Sequence, residues 1–385
     1  MTDRPLMGYK KYTMNSRVFT AVHALTNRLD HWIFEEYRMP PRALSVFRIV
    51  YSAFVLLMVG VPPFRWIGNK PEIFYNPPMF SIMHWFDGYP TPSFFWLLDG
   101  GVTLLFVCLL FGFQTRWTSW LLALGLFTGF SWSYAYGKIN HDTLLMALVP
   151  LVMSFSRWGA YFSLDQRRAS GLPKQEQYWP VALLALLFGF AMFSAGMPKL
   201  LSGWLDPTTH AVQGYTIRQH YDFYADQLLA PIMAHFDLPW FWELLDYSAV
   251  LFEVGFLLAV AKRPVFQFFI VLTVIFHLTN SLMLNIDFSR NLTLYLLFID
   301  WRPVMRWVDR HPKLQTYIRF SCLGGVSAFF VVYYLVGIPA VFRGITWLLG
   351  LDALSSGVVL VGLAAVLFAV NYLSSWSRVP EPVNS

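Results

Sequence analysis

Ten apolar runs, most of them long enough to cross a bilayer, exclude nearly every soluble fold for this chain. They cover 43–61, 93–113, 117–136, 141–156, 179–200, 241–261, 265–285, 289–300, 320–342 and 353–375. A helix rising about 1.5 Å per residue needs roughly 20 apolar residues to cross about 30 Å of hydrocarbon. The fourth and eighth runs are short, so they are expected to be tilted, thinned at one end or partly re-entrant. Charged residues make up only 13% of the 385, against about 25% in soluble domains. Aromatics reach 18%, which suits wide membrane–water interfaces.

The fold expected is therefore an all-α polytopic membrane protein, a bundle of about ten transmembrane helices with nine as the nearest alternative. An amphipathic surface helix should precede it. Val18, Val22, Leu25, Leu29, Trp32 and Ile33 recur at roughly helical spacing among charged residues, and Pro40-Pro41 ends the pattern. Three parts follow. Residues 1–40 form a cytoplasmic amphipathic segment, 41–305 a transmembrane domain, and 306–385 two additional transmembrane helices with a short tail. The first forty residues hold no signal-peptide core, so the first span is expected to act as the targeting signal.

Charge orients the bundle. With a cytoplasmic N-terminus and alternating loops, 20 of the 28 Lys and Arg fall on inner segments and 7 on outer ones. That is the bias of the positive-inside rule. It predicts a multi-pass protein of the cell membrane with both termini cytoplasmic. Two outer segments are long. Residues 62–92 are rich in Pro, Trp and Phe and read as an ordered interfacial loop, while 201–240 should hold one or two short helices. The net charge of +6 is dispersed over loops, so it points to anionic lipid heads and not to nucleic acid. Membrane lipid is the partner expected, with a membrane or exported protein or peptide as a further one. The two cysteines lie in apolar runs, and no Cys/His cluster has metal-ligand spacing, so no metal is expected.

Ionisable residues at membrane depth are costly and are functional candidates by default. Lys138, His141 and Asp142 stand three and four apart between two spans, on one helical face. They read either as an interfacial turn or as a base, Lys138, oriented by its neighbours. Lys199 ends the fifth span beside Pro198 and would add a second positive charge at the same mouth. Arg48, a few residues into the first span, either snorkels to the interface or pairs with a carboxylate. Glu243, Asp246 and Glu253 fall within about 80° of one another on the sixth span and form an acidic stripe. His277, Asn280 and Ser281 share a face of the seventh, with Asn285, Asp287 and Arg290 just beyond.

Five stretches then occur in one order. They are Pro41-Arg42-Ala43-Leu44-Ser45-Val46-Phe47-Arg48, the Lys138 stretch, Trp158-Gly159-Ala160-Tyr161-Phe162-Ser163-Leu164-Asp165, Ala195-Gly196-Met197-Pro198-Lys199-Leu200, and Phe276-His277-Leu278-Thr279-Asn280-Ser281. Their succession, over roughly residues 38–305, resembles the HTTM domain, the membrane part shared by vitamin K-dependent γ-glutamyl carboxylase and many bacterial proteins. The resemblance implies a lysine, here Lys138, that deprotonates a hydroquinone on the outer side, and a histidine, here His277, near the quinone site. The family's histidine after the lysine sits about six residues on, whereas His141 is three on. Where the carboxylase adds a large soluble domain, this chain adds two apolar runs. Carboxylation of a protein is therefore not expected, and a pocket for a quinol (vitamin K-like or menaquinol) or other isoprenoid lipid is.

Three functions stay open. The first is a membrane enzyme with Lys138, His141 and His277 as catalytic residues, and Lys199, Asn280, Glu253, Asp142 and Arg290 binding substrate. The second is a non-catalytic lipid-binding partner, or an immunity or maturation factor. The third is a proton-coupled transporter relaying through Glu253, His277 and Lys138. No nucleotide-binding glycine motif or nucleophile elbow is present.

Overall fold

The computed structural model describes residues 16–79, 81–85, 88–137, 139–167, 178–311 and 351–376. The expected span at 320–342 and Lys138 lie outside them. The described residues are helical and include no strand. The first helix, α1 (Ser16–His31), leaves Val22, Leu25 and Leu29 exposed. The first two spans are α2 (Pro41–Phe54), prolonged by a π-turn over Val55–Val59, and α3 (Pro92–Phe111). Next come α4 (Thr115–Tyr134), α5 (His141–Met153) and α6 (Trp179–Leu201). Two short helices, α7 (Ala211–Phe223) and α8 (Ala230–Ala234), occupy the long segment expected to hold them. The chain continues with α9 (Pro239–Ala259), α10 (Arg263–Leu284), the single turn α11 (Leu292–Tyr295), α12 (Arg302–Arg310) and α13 (Ala353–Trp376). Among the described residues, five stretches are long and apolar enough to cross a membrane: 41–59, 92–111, 179–201, 263–284 and 353–374.

Prolines set many of the boundaries. α2, α3, α6, α8, α9, α10 and α12 each carry one in the first turn. A proline there loses no hydrogen bond, and before α2, α3 and α9 the residue that precedes it is extended, as its ring requires. Consecutive long helices run antiparallel. One end of the bundle gathers Arg48, the C-termini of α3, α5 and α9, and the start of α10. The far end gathers loop 62–92, the start of α5, and α7 and α8.

The eighth apolar run is not a straight helix. It is a 3₁₀ turn (Ser289–Asn291), α11, and a second 3₁₀ turn (Leu296–Phe298). It still traverses the bundle. A Cβ on Gly357 of α13 would lie 2.4 Å from Asp287 Oδ1, and Asp300 N donates to Asn371 Oδ1 of the same helix at 3.3 Å. Those two points of α13 are about 21 Å apart at the helical rise. A 3₁₀ turn rises about 2.0 Å per residue, so few residues reach far. Leu292 to Ile299 are all buried. Broken backbone at membrane depth is tolerable there because protein, not lipid, surrounds it.

Arg48 corrects both sequence readings, since it does not snorkel and, among the described residues, forms no ion pair with a carboxylate. It is fully buried, and its guanidinium donates to backbone carbonyls: Nε to Trp158 at 3.0 Å, Nη1 to Leu109 at 2.8 Å and Leu110 at 3.2 Å, Nη2 to Phe162 at 2.6 Å. Leu109 and Leu110 lie in the last turn of α3, where carbonyls lack helical partners and the helix dipole is negative. Gly112 turns in the left-handed region at φ 65°, and a Cβ there would stand 2.3 Å from Arg48 Nη1. Asp165, at the end of the Trp158 stretch, accepts from Gln114 N and Thr115 N at 2.8 and 2.7 Å and so caps α4. The stretch is thus a clasp joining α2, α3 and α4.

Candidate functional site

The far end is covered by an ordered loop. Asp99 of α3 accepts from Phe64 N at 2.6 Å and Arg65 N at 3.3 Å, and Asn76 N donates to Ala135 O at 2.9 Å. These bonds lay segment 62–92 over the turn that follows α4. Tyr75, Tyr89, Phe95, Trp132 and Tyr136 pack there as one aromatic cluster with ring centroids 5.3–6.3 Å apart. Burial pushes the Tyr75 and Tyr89 hydroxyls up, so both phenols stay neutral. Lys70 lies over the rings of Trp66 and Tyr136, at 4.3 and 5.0 Å, a cation–π contact that leaves positive charge at this mouth.

Beneath the cover, His277 of α10 is 6% exposed and faces the broken crossing. Its ring stacks on Phe288 at 4.3 Å with an interplanar angle of 5°. Nε2 meets the Tyr295 hydroxyl at 2.8 Å and Asn291 Nδ2 at 3.4 Å. As oriented, Asn291 Nδ2 only donates, so Nε2 accepts and the neutral imidazole carries its proton on Nδ1. That Nδ1 is buried and has no hydrogen-bond partner among the described residues. A donor left orphaned in a low-dielectric interior is costly and calls for an explanation. Tyr295 in turn stacks on Phe188 of α6 at 4.6 Å.

The start of α5 converges on the same place. The Asp142 carboxylate is near enough to Tyr295 and Tyr134 to act on both electrostatically. His141 Nε2 meets Ser194 Oγ of α6 at 3.3 Å. Three sequence candidates, His141, Asp142 and His277, are therefore brought to one end through α5, α6, α10 and α11.

With this geometry in view, the family comparison is decisive: the HTTM domain family model matches residues 37–301. The chain belongs to the HTTM domain family. No curated protein and no solved structure matches it.

The HTTM domain separates other candidates that the sequence had grouped. Lys199 is not a second free amine. Its Nζ donates to both oxygens of Glu253 at 2.6 Å, over the Trp204 ring at 5.1 Å. Gly196 permits this approach of α6 and α9, since a Cβ there would fall 2.8 Å from that of Glu253. The rest of the acidic stripe divides, with Asp246 hydrogen-bonded and both Glu243 oxygens buried without a hydrogen bond among the described residues. Glu243 faces His210 Nδ1 at 3.2 Å, and Asp246 accepts from Ala211 N and Val212 N at 2.8 and 2.7 Å. Asn280 does not share a site with His277. It lines an apolar crevice with Phe252 and Phe276, while His277 turns to α11. Arg290 lies half-buried in the 3₁₀ turn that opens the broken crossing. Among the described residues no group of three His, Cys, Asp or Glu is placed to hold a metal.

Sequence reasoning missed Tyr295, Phe288 and Asn291 as partners of His277. The available signal was a hydroxyl, Tyr295, inside the leucine-rich run 292–297. Without the fold, nothing tied it to a histidine 18 residues earlier.

Proposed function

We propose that this HTTM protein is a membrane enzyme that binds a hydroquinone, vitamin K-like or menaquinol, or a similar isoprenoid lipid at the far end of the bundle. His277 Nδ1–H, the orphan donor, would hold one ring oxygen, and Tyr295 and Asn291 fix its tautomer. Lys138 would take the proton of the opposite hydroxyl, its amine desolvated enough to be a base near ambient pH. Lys138 enters through its sequence position. It stands three positions before His141, which limits their Cα atoms to about 11 Å. Asp142 and His141 would orient the resulting ammonium and pass its proton to the mouth.

The observation that carries this reading is the buried imidazole nitrogen, without a partner among the described residues, at the convergence of α5, α10 and α11. The charge bias supports ten crossings, cytoplasmic termini and a site that faces outward. The pairing of Glu253 with Lys199 weighs against a transporter that relays protons through Glu253. The test is oxidation of menaquinol by the full chain in lipid nanodiscs with dioxygen supplied as the electron acceptor, and with Lys138→Ala and His277→Phe as variants. Loss of turnover in a well-folded Lys138→Ala protein is expected. Normal turnover in that variant would end the assignment of the base. A wild-type protein that consumes no quinol and co-isolates a stoichiometric partner would favour the non-catalytic reading.

A further inference from the structure

Helix α12 lies at the end of the bundle that holds Arg48. Asp309 on it is bonded to Arg42 at the start of α2, and Met305 packs against the main core. The helix therefore sits level with the first turn of α2, where that span leaves the hydrocarbon. Its own start is held by Asp300, which accepts from Arg302 Nε and Nη2 at 2.8 and 2.9 Å. At about 100° per residue, Met305 and Asp309 fall on one side of α12. Arg306, Arg310, Pro303 and Trp307 fall on the other, within an arc of about 100°.

This outward side is graded from basic to apolar. Arg306 and Arg310 form one edge, a helical turn apart. Trp307, 51% exposed, and Val304, 40% exposed, form the other. Among the described residues, both arginines are exposed, and neither has a carboxylate or aromatic partner. Arg42 and Arg302 are engaged, and Asp309, the carboxylate nearest on the helix, is turned to Arg42. His311 closes the helix, its ring 5.0 Å from that of Trp307 and its Nδ1 2.9 Å from Trp307 O.

Each part of this face fits a lipid head. An indole settles at headgroup level, one end apolar and the other wet. A guanidinium matches a phosphate with planar donors, and its long stem can rest on apolar surface while the charge reaches water. Two such charges with Cβ atoms about 6 Å apart favour a head of net negative charge. A zwitterionic head brings an ammonium, which the same arginines repel. Free phosphate would leave the Trp307 and Val304 edge in water, whereas a lipid covers both edges at once.

We infer that α12 is an interfacial helix that binds anionic phospholipid. Arg306 and Arg310 hold the phosphate, and the first acyl carbons lie against Trp307 and Val304. The anionic lipid expected from net charge thereby gains a specific site, and that site is independent of the quinol reading.

The experiment is photocrosslinking of the full chain with Val304 replaced by p-benzoylphenylalanine, which leaves both arginines and Trp307 in place. The protein is set in nanodiscs of phosphatidylglycerol and phosphatidylcholine in equal amounts with identical chains. Both leaflets then have one composition, so the outcome does not depend on which way the bundle faces. One basic residue near an anionic surface gives about a five-fold preference, and two give about twenty-five-fold. Mass spectrometry of the irradiated protein should show phosphatidylglycerol adducts in about that excess. Arg306→Gln and Arg310→Gln should each lower the excess about five-fold, and the double variant should bring it close to parity. Equal adducts of the two lipids, an excess unchanged in the double variant, or crosslinks to protein with none to lipid would each overturn the inference.

Discussion

At the residue scale, buried charges hold this protein together through specific partners. Glu253 is 5% exposed and Lys199 25%, and they are joined twice at 2.6 Å. Removing one partner of a buried pair typically costs about 3–5 kcal/mol, while replacing both with apolar residues is often neutral. Lys199→Met should therefore lower stability in detergent markedly, and the double variant Lys199→Met with Glu253→Leu should recover most of it. Additive losses in that cycle would show that the two side chains are not coupled. Arg48 follows the same logic with carbonyls in place of a carboxylate. Each orphaned buried carbonyl costs about 1–3 kcal/mol, so Arg48→Leu should leave little folded, monodisperse protein on size exclusion. Arg48→Lys should rescue it only in part, because an ammonium has three donors and lacks the planar fork. Wild-type yield and melting from Arg48→Leu would show that those carbonyls have another source of donors.

At the element scale, helices here are capped by other helices. Asp246 of α9 closes the N-terminus of α7 through Ala211 N and Val212 N. Loss of such a cap costs about 0.5–2 kcal/mol. Asp246→Ala should speed hydrogen exchange across 211–223 well beyond any change in α3 or α6. Uniform acceleration over the whole chain would mean that Asp246 supports the bundle and not α7. The broken crossing at 289–298 belongs to this scale too. Hydropathy marked it as a short run, and length alone left tilt, thinning and re-entry equally open. The structure gives two 3₁₀ turns around one helical turn, and the buried surroundings explain it, because protein packed about the segment lets 3₁₀ turns replace a continuous helix.

At the scale of the whole molecule, the antiparallel order gathers Lys and Arg at the end that holds Arg48. Single cysteines placed at Thr209 and at Arg306, in a background lacking Cys108 and Cys322, test the orientation. A membrane-impermeant maleimide added to intact cells should label Thr209→Cys and not Arg306→Cys. The reverse pattern would invert the bundle and place the His277 end in the cytoplasm.

Membership of the membrane, the helical class and most helix boundaries were legible in the chain, because they rest on local quantities: run length, proline position and charge bias. The site was legible in part. His141, Asp142 and His277 announced themselves as polar groups in apolar surroundings. Their link through Tyr295 did not, because a leucine-rich run hides a tyrosine until packing turns it inward. The acidic stripe read as one feature, yet Glu253 took a lysine, Asp246 took two backbone N–H groups and Glu243 only faces a histidine, since helical phase fixes the face and the neighbours fix the bond. Sequence by itself determined what must be buried in lipid. Only tertiary structure decided which buried polar groups meet, because each partner comes from a helix far away in the chain, and no local pattern encodes that distance.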